Sequence, residues 1–119
     1  MTYTIEIPNW HPPKSNQFVG RHWSVKNRLR KLAIDMIFVY ARQAKVAEAT
    51  GQRKVSLKIT MGPRGRVPDA DAYDKLLLDA LTKCRLITDD GRSGVLGRVA
   101  VEFVRGKAPA TTIVLEDVP

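Results

Sequence analysis

The sequence predicts an α+β fold in which two helices pack on one face of a small mixed β-sheet. Segments with an apolar residue at every second position alternate along the chain with segments whose apolar residues recur at helical spacing. Their order is strand, long helix, strand, helix, strand, strand, which is typical of helices covering one face of a sheet. A length of 119 residues suits a single domain, so one domain is expected over residues 1–119.

The first half of the chain predicts two strands with a long helix between them. Thr2–Ile7 and Lys54–Met61 alternate apolar and polar residues. Ser24 is suited to cap a helix that runs to about Ala49, where Gly51 would stop it. The apolar positions expected to face the core are Val25, Leu29, Leu32, Ala33, Met36, Ile37, Val39 and Ala44.

The second half predicts a shorter helix and two more strands. The helix is expected to begin near Asp71 and to run to about Cys84, which would be a small buried hydrophobic residue. Val95–Val104 and Thr111–Leu115 are the predicted strands. The expected apolar stripe of the helix consists of Tyr73, Leu76, Leu77, Ala80, Leu81 and Cys84.

Charge is distributed unevenly along this basic chain, whose formal net charge is +8. Residues 1–66 hold thirteen Lys or Arg and three Asp or Glu, whereas residues 67–119 hold seven and nine. A basic protein that gathers its carboxylates in one region is suited to hold a cation beside a polyanion. The composition therefore favours nucleic acid as the partner and Mg²⁺ as the cation.

Several classes of protein are disfavoured. No apolar run approaches the roughly 20 residues of a membrane span, and the N-terminus lacks the pattern of a signal peptide. Cys84 is the single cysteine, which excludes an internal disulfide and fits a cytoplasmic location. The chain has no P-loop, dinucleotide fingerprint, nucleophile elbow or Cys-x-x-Cys motif. We expect a cytoplasmic protein without a membrane partner.

Carboxylates concentrate between residues 68 and 90. Asp69 and Asp71 are two residues apart, so an extended backbone would project both to the same side. A divalent cation would relieve their repulsion, and Mg²⁺ prefers carboxylate and phosphate oxygens. Asp89 and Asp90 would join them if the chain after the second helix bends back sharply.

Simpler interpretations of these acids are equally open from spacing alone. Asp71, Lys75 and Asp79 are four residues apart, as in a ladder of surface ion pairs. Asp71 also suits a helix N-cap, and Asp89 followed by Asp90 suits a plain turn.

The same region resembles the RusA family of Holliday-junction resolvases. The family's pattern is met by Asp69-Ala70-Asp71, Lys75, Asp79-Ala80-Leu81 and the pair Asp89-Asp90. The N-terminal part is also similar, with an early strand, a Pro12-Pro13-Lys14-Ser15-Asn16 loop and His22-Trp23 opening a basic helix. The resemblance thus covers nearly the whole chain.

The resemblance implies a RusA-like homodimer that resolves four-way DNA junctions by paired symmetric cuts in DNA recombination and repair. Asp69, Asp71 and Asp90 would be the catalytic carboxylates that bind Mg²⁺, with Mn²⁺ as an alternative, and Lys75 would be the catalytic lysine. The expected setting is the cytoplasm of a bacterial or phage-infected host cell. Ala72 departs from the pattern, because many family members carry Asn there.

Basic residues would hold the DNA backbone through phosphate contacts, which suit recognition of shape rather than of sequence. Two rival functions remain: a Mg²⁺-dependent nuclease acting on other branched or single-stranded nucleic acid, and a catalytically idle protein that binds branched DNA. The predicted DNA-binding residues are Lys14, Arg21, Lys26, Arg28, Arg30, Lys31, Arg64 and Arg66.

Overall fold

The computed structural model describes residues 1–10, 23–62 and 74–119. Within them it has four strands and two helices, in the predicted order. The elements are β1 (Thr2–Pro8), α1 (Trp23–Gln43), β2 (Arg53–Met61), α2 (Asp74–Lys83), β3 (Ala100–Arg105) and β4 (Ala110–Asp117).

The four strands form one mixed sheet in the order β1-β4-β2-β3. β4 lies between β1 and β2 and is antiparallel to both, and β3 is parallel to β2. Two parallel neighbours require a crossover connection, and α2 lies in the connection between β2 and β3. The predicted α+β fold with a mixed sheet is confirmed.

One hydrophobic core joins both helices to one face of the sheet. Alternate residues of β1, β2 and β4 enter it, as the period-two patterns predicted. The apolar stripe of α2 enters the same core, with Leu76, Leu77, Ala80 and Leu81 buried.

Cys84 is half-buried, and burial raises the pKa of its thiol to about 11, so the thiol stays protonated.

The predicted C-terminus of α1 was wrong. The helix ends at Gln43, six residues before Ala49, and Gly51 is not its stop. Lys45 takes a left-handed conformation, with φ 57°. The N–H of Val46 donates to the Ala41 carbonyl at 3.1 Å and that of Lys45 to the Arg42 carbonyl at 3.1 Å. This is a Schellman motif built on a residue other than glycine.

The buried face of α1 also differs from the prediction. Ala33, Ile37 and Ala41 form it at a spacing of four residues, whereas Leu32 and Val39 are 47% and 49% exposed. The predicted stripe was displaced around the helix, because Ile34, Met36 and Tyr40 are the partly buried residues that pack beside this line.

The predicted strand over Val95–Val104 is shorter in the structure. Val95 makes an isolated parallel bridge to Arg53, and β3 begins only at Ala100. Gly97, with φ 68°, lies between them and bends the chain out of the sheet.

Neither of the two described helices is long and apolar enough to cross a membrane.

Candidate functional site

Asp89 and Asp90 lie in a loop that returns along α2. We call residues 86–96 the acidic loop. Arg85, with φ 61°, ends α2 in a second Schellman motif, in which the Leu86 N–H donates to the Leu81 carbonyl at 3.0 Å. The side chains of Leu86 and Ile87 are buried in the core. Burying these two residues turns the chain sharply and leaves the next three residues, 88–90, exposed.

The two carboxylates of the acidic loop have different surroundings. Asp89 closes a turn: its Oδ1 accepts from the Gly91 N–H at 3.0 Å, and its Oδ2 accepts from the Ser93 hydroxyl at 2.9 Å. The Gly91 N–H and then the Ser93 hydroxyl hold the pKa of Asp89 below its ordinary value, because both donate to the ionised carboxylate. Both carboxylates are exposed, and Asp89 in addition closes the turn.

Close backbone packing gives the acidic loop its shape. A Cβ placed on Gly94 would overlap the carbonyl oxygen and the nitrogen of Asp89. The N–H groups of Gly94 and Val95 both donate to the Gly91 carbonyl, at 3.1 and 3.0 Å. The Asp89–Asp90 turn is thus held by backbone contacts that only glycine at position 94 allows.

Asp90 opens into a cleft of about 390 Å³ between the acidic loop and α2. The charged residues that line this cleft are Asp90, Arg92 and Arg98. A carboxylate suits a hard cation, and guanidinium groups suit phosphate oxygens. Its lining residues are Leu78, Asp90, Gly91, Arg92, Val95, Gly97, Arg98 and Val99.

Arg92 and Arg98 were missed from the sequence. The predicted DNA contacts were taken from the strongly basic first half of the chain, and these two arginines lie in the acidic second half. The available signal was the position of Arg92 two residues after Asp90, and Arg98 had no such signal. A cation that follows a candidate metal ligand so closely is placed to meet the same substrate.

Arg30, one of the predicted DNA contacts, joins the two helices. Its Nε lies 2.6 Å from Asp79 Oδ2, and its Nη2 donates to Asp79 Oδ1 at 3.2 Å. This bidentate contact between α1 and α2 gives Asp79 a partner, whereas the sequence left open an ion-pair ladder with Lys75 or a place in the RusA-like pattern. The pair is more than a third exposed, so we expect it to contribute about 0.5 kcal/mol.

Most of the other predicted site residues lie outside the described residues. They include the carboxylates Asp69 and Asp71 and the basic residues Lys14, Arg21, Arg64 and Arg66. Lys75 belongs to the first turn of α2, where the description covers the backbone alone. Of the remaining basic residues, Arg28 and Lys31 are exposed on α1 and Lys26 is half-buried.

Within the three described ranges, no group of three or more His, Cys, Asp or Glu side chains is placed to hold a metal ion. Asp90 is the described member of the predicted ligand set, and its exposed carboxylate beside Asp89 fits a hard divalent cation. No protein-family model and no curated protein matches this sequence.

Proposed function

We propose that this chain is a Mg²⁺-dependent endonuclease that resolves four-way DNA junctions by paired symmetric cuts. The observation that carries the proposal is the cleft in which Asp90 lies with Arg92 and Arg98. A site for hydrolysing a phosphodiester needs carboxylate oxygens for the cation and positive groups for the phosphates on either side. The cleft offers both within about 390 Å³.

The path of the chain supports a role for Asp69 and Asp71 in the same site. Leu78 lines the cleft and follows Lys75 by three residues, about one helical turn. Asp90 therefore lies next to the middle of α2. The chain there is returning toward the N-terminal end of α2, which Asp69 and Asp71 precede in the sequence. The buried side chains of Leu86 and Ile87, directly after α2, fit the sharp return that such a site would need.

Each residue has a role in the proposed reaction. Asp69, Asp71 and Asp90 would hold the ion, with Mn²⁺ as an alternative to Mg²⁺. A bound Mg²⁺ supplies charge neutralisation at a phosphoryl oxygen and lowers the pKa of a water molecule. Lys75 would stabilise negative charge that develops on the phosphate. Two equivalent cuts need two sites, so the proposal includes a twofold dimer.

The test is cleavage of a labelled synthetic four-way junction with and without Mg²⁺. We expect paired symmetric nicks from the wild type, and their loss in Asp71→Asn and in Asp90→Asn, while junction binding is retained. Asp35→Asn is the matched control, because Asp35 is an exposed acid on α1. Junction binding by the wild type without cleavage in either Mg²⁺ or Mn²⁺ would overturn the proposal in favour of an idle binding protein.

The two arginines of the cleft should contact DNA phosphates. We expect Arg92→Gln and Arg98→Gln each to weaken metal-free junction binding and to lower the slope of log affinity against log salt by about 1. Lys107→Gln is the control, since Lys107 is exposed beyond the opposite end of β3. Equal salt slopes for all four proteins would remove Arg92 and Arg98 from the DNA-binding surface.

A further inference from the structure

Among the residues that the structure describes, Arg53 is the one Lys or Arg whose side chain is buried. It begins β2, and its side chain is only 2% exposed. Burial of a guanidinium is unfavourable unless its charge is paired and its N–H groups are hydrogen-bonded. The partners of Arg53 therefore explain why a charged residue occupies this place in the core.

The Arg53 side chain joins three separate parts of the chain. Its Nε donates to Asp117 Oδ1 at 2.7 Å, at the end of β4. Its guanidinium carbon lies 5.0 Å from the centre of the Tyr3 ring, on β1. Its Nη1 donates to the Leu86 carbonyl at 2.8 Å, and this third bond reaches the first residue of the acidic loop.

The backbone of the same residue holds the other end of the acidic loop. The Arg53 N–H donates to the Gly94 carbonyl at 3.0 Å, and its carbonyl accepts from the Leu96 N–H at 2.9 Å. Val95, between these two, forms the parallel bridge to Arg53. One residue thus binds residue 86 through its side chain and residues 94–96 through its backbone, and Asp90 lies between these two anchors.

We propose that Arg53 is a positioning residue for Asp90, which it holds at the cleft by fixing both ends of the acidic loop. The role of Asp90 as a metal ligand rests on the proposed function, whereas the holding of the loop does not. Of the two anchors of the acidic loop, a substitution at Arg53 removes only the side-chain anchor at Leu86, along with the contacts to Asp117 and Tyr3. The loop would then stay attached at residues 94–96 and move at its other end.

Asp117 provides a matched control. Asp117→Asn weakens the same ion pair from its other side, but it leaves the Arg53 bond to the Leu86 carbonyl in place. Arg53→Lys keeps the positive charge and loses the planar fork that reaches two acceptors at once. If Arg53 acts through the acidic loop, the two variants will differ there even where both lower the melting temperature.

The first measurement is amide hydrogen exchange in the metal-free protein. We expect the amides of Leu86 and Gly91, which are hydrogen-bonded toward the freed end of the acidic loop, to exchange about tenfold faster in Arg53→Lys than in Asp117→Asn. This readout needs neither metal nor DNA. Equal exchange at these amides in both variants would overturn the proposal, whatever the protein is later shown to catalyse.

The second measurement is Mn²⁺ binding, followed by electron paramagnetic resonance without DNA. Loss of a group that orients a metal ligand typically weakens metal affinity about 10–100-fold, so we expect a loss of about tenfold in Arg53→Lys and no loss in Asp117→Asn. A wild type that binds no Mn²⁺ would refute the proposed metal site. The hydrogen-exchange result alone would then decide whether Arg53 holds the acidic loop. Equal Mn²⁺ losses in both variants would show general loosening and overturn the positioning role.

Discussion

The shape of the acidic loop depends on the absence of a side chain at Gly94. The space where a Cβ would stand is occupied by the backbone of Asp89, which cannot move aside as a flexible side chain would. The same backbone carries the Asp89 carboxylate that closes the turn through Gly91 and Ser93. The position of Asp90 therefore depends on a residue that has no side chain.

Gly94→Ala should lower the free energy of unfolding by about 1–3 kcal/mol, because the added methyl group overlaps the Asp89 backbone. Urea denaturation of the whole chain measures this. Gly51→Ala is the matched control, since no atom lies within 4 Å of a Cβ built on Gly51. The close approach at residue 94 would be contradicted if the two alanine variants were equally stable.

At the scale of elements, both helices end in a Schellman motif whose left-handed residue is basic. Lys45 has φ 57° and Arg85 has φ 61°. The left-handed conformation costs a residue with a Cβ about 1 kcal/mol, so tertiary contacts must hold both turns in place. After α2 those contacts are the buried side chains of Leu86 and Ile87. The strained turn at Arg85 is therefore the bend that sends the acidic loop back along α2.

Lys45→Gly should raise the free energy of unfolding by about 0.5–1 kcal/mol, because glycine adopts the left-handed conformation without steric cost. Thermal or urea unfolding measures the change. Lys45→Ala separates this effect from loss of the charge, since alanine keeps the Cβ and its cost. A glycine variant no more stable than the alanine variant would show that α1 does not end as described.

At the scale of the whole molecule, Arg53 and Asp117 connect the sheet to both chain ends. Asp117 accepts from Arg53 at 2.7 Å, and its own N–H donates to the Met1 carbonyl at 2.9 Å. The hydrogen bond from Arg53 is the main reason that the pKa of Asp117 lies below its ordinary value of 3.8. A carboxylate with a lowered pKa in the folded state stabilises the fold above the unfolded pKa.

This contribution should disappear as the pH falls. The difference in unfolding free energy between the wild type and Asp117→Asn is expected to be constant from pH 7 to about pH 5 and to shrink as the pH falls below 3.8. Urea titrations across this range measure the difference. A difference that did not change with pH would show that the Arg53–Asp117 pair contributes nothing as an ion pair.

The proposed dimer is also a property of the whole molecule. Leu32 and Val39 are exposed and seven residues apart, so they lie two turns apart on one side of α1. We expect a particle of twice 13.3 kDa by light scattering for the wild type, and monomers for the Leu32→Glu, Val39→Glu double variant. Circular dichroism would check that the variant is folded. A monomeric wild type would refute the dimer, and a dimeric double variant would place the interface elsewhere.

The sequence by itself determined the secondary structure and the side of each element that meets the core, at least where the pattern is regular. β2 and α2 are examples, because strict alternation or a clean helical stripe leaves one way to bury the apolar residues. The end of α1 was not predicted because the left-handed residue that ends it, Lys45, is not a glycine, and the start of β3 was not predicted because pairing with β2 decides where that strand begins.

Only the tertiary structure decided what the individual charges do. In sequence, Asp79, Asp89, Asp90 and Asp117 are equivalent carboxylates. In the fold, Asp79 binds Arg30, Asp89 closes a turn and Asp117 binds Arg53, whereas Asp90 lies exposed in a cleft with Arg92 and Arg98. The physical reason is that a charge takes its role from the groups within a few ångströms of it, and those groups come from parts of the chain far apart in sequence.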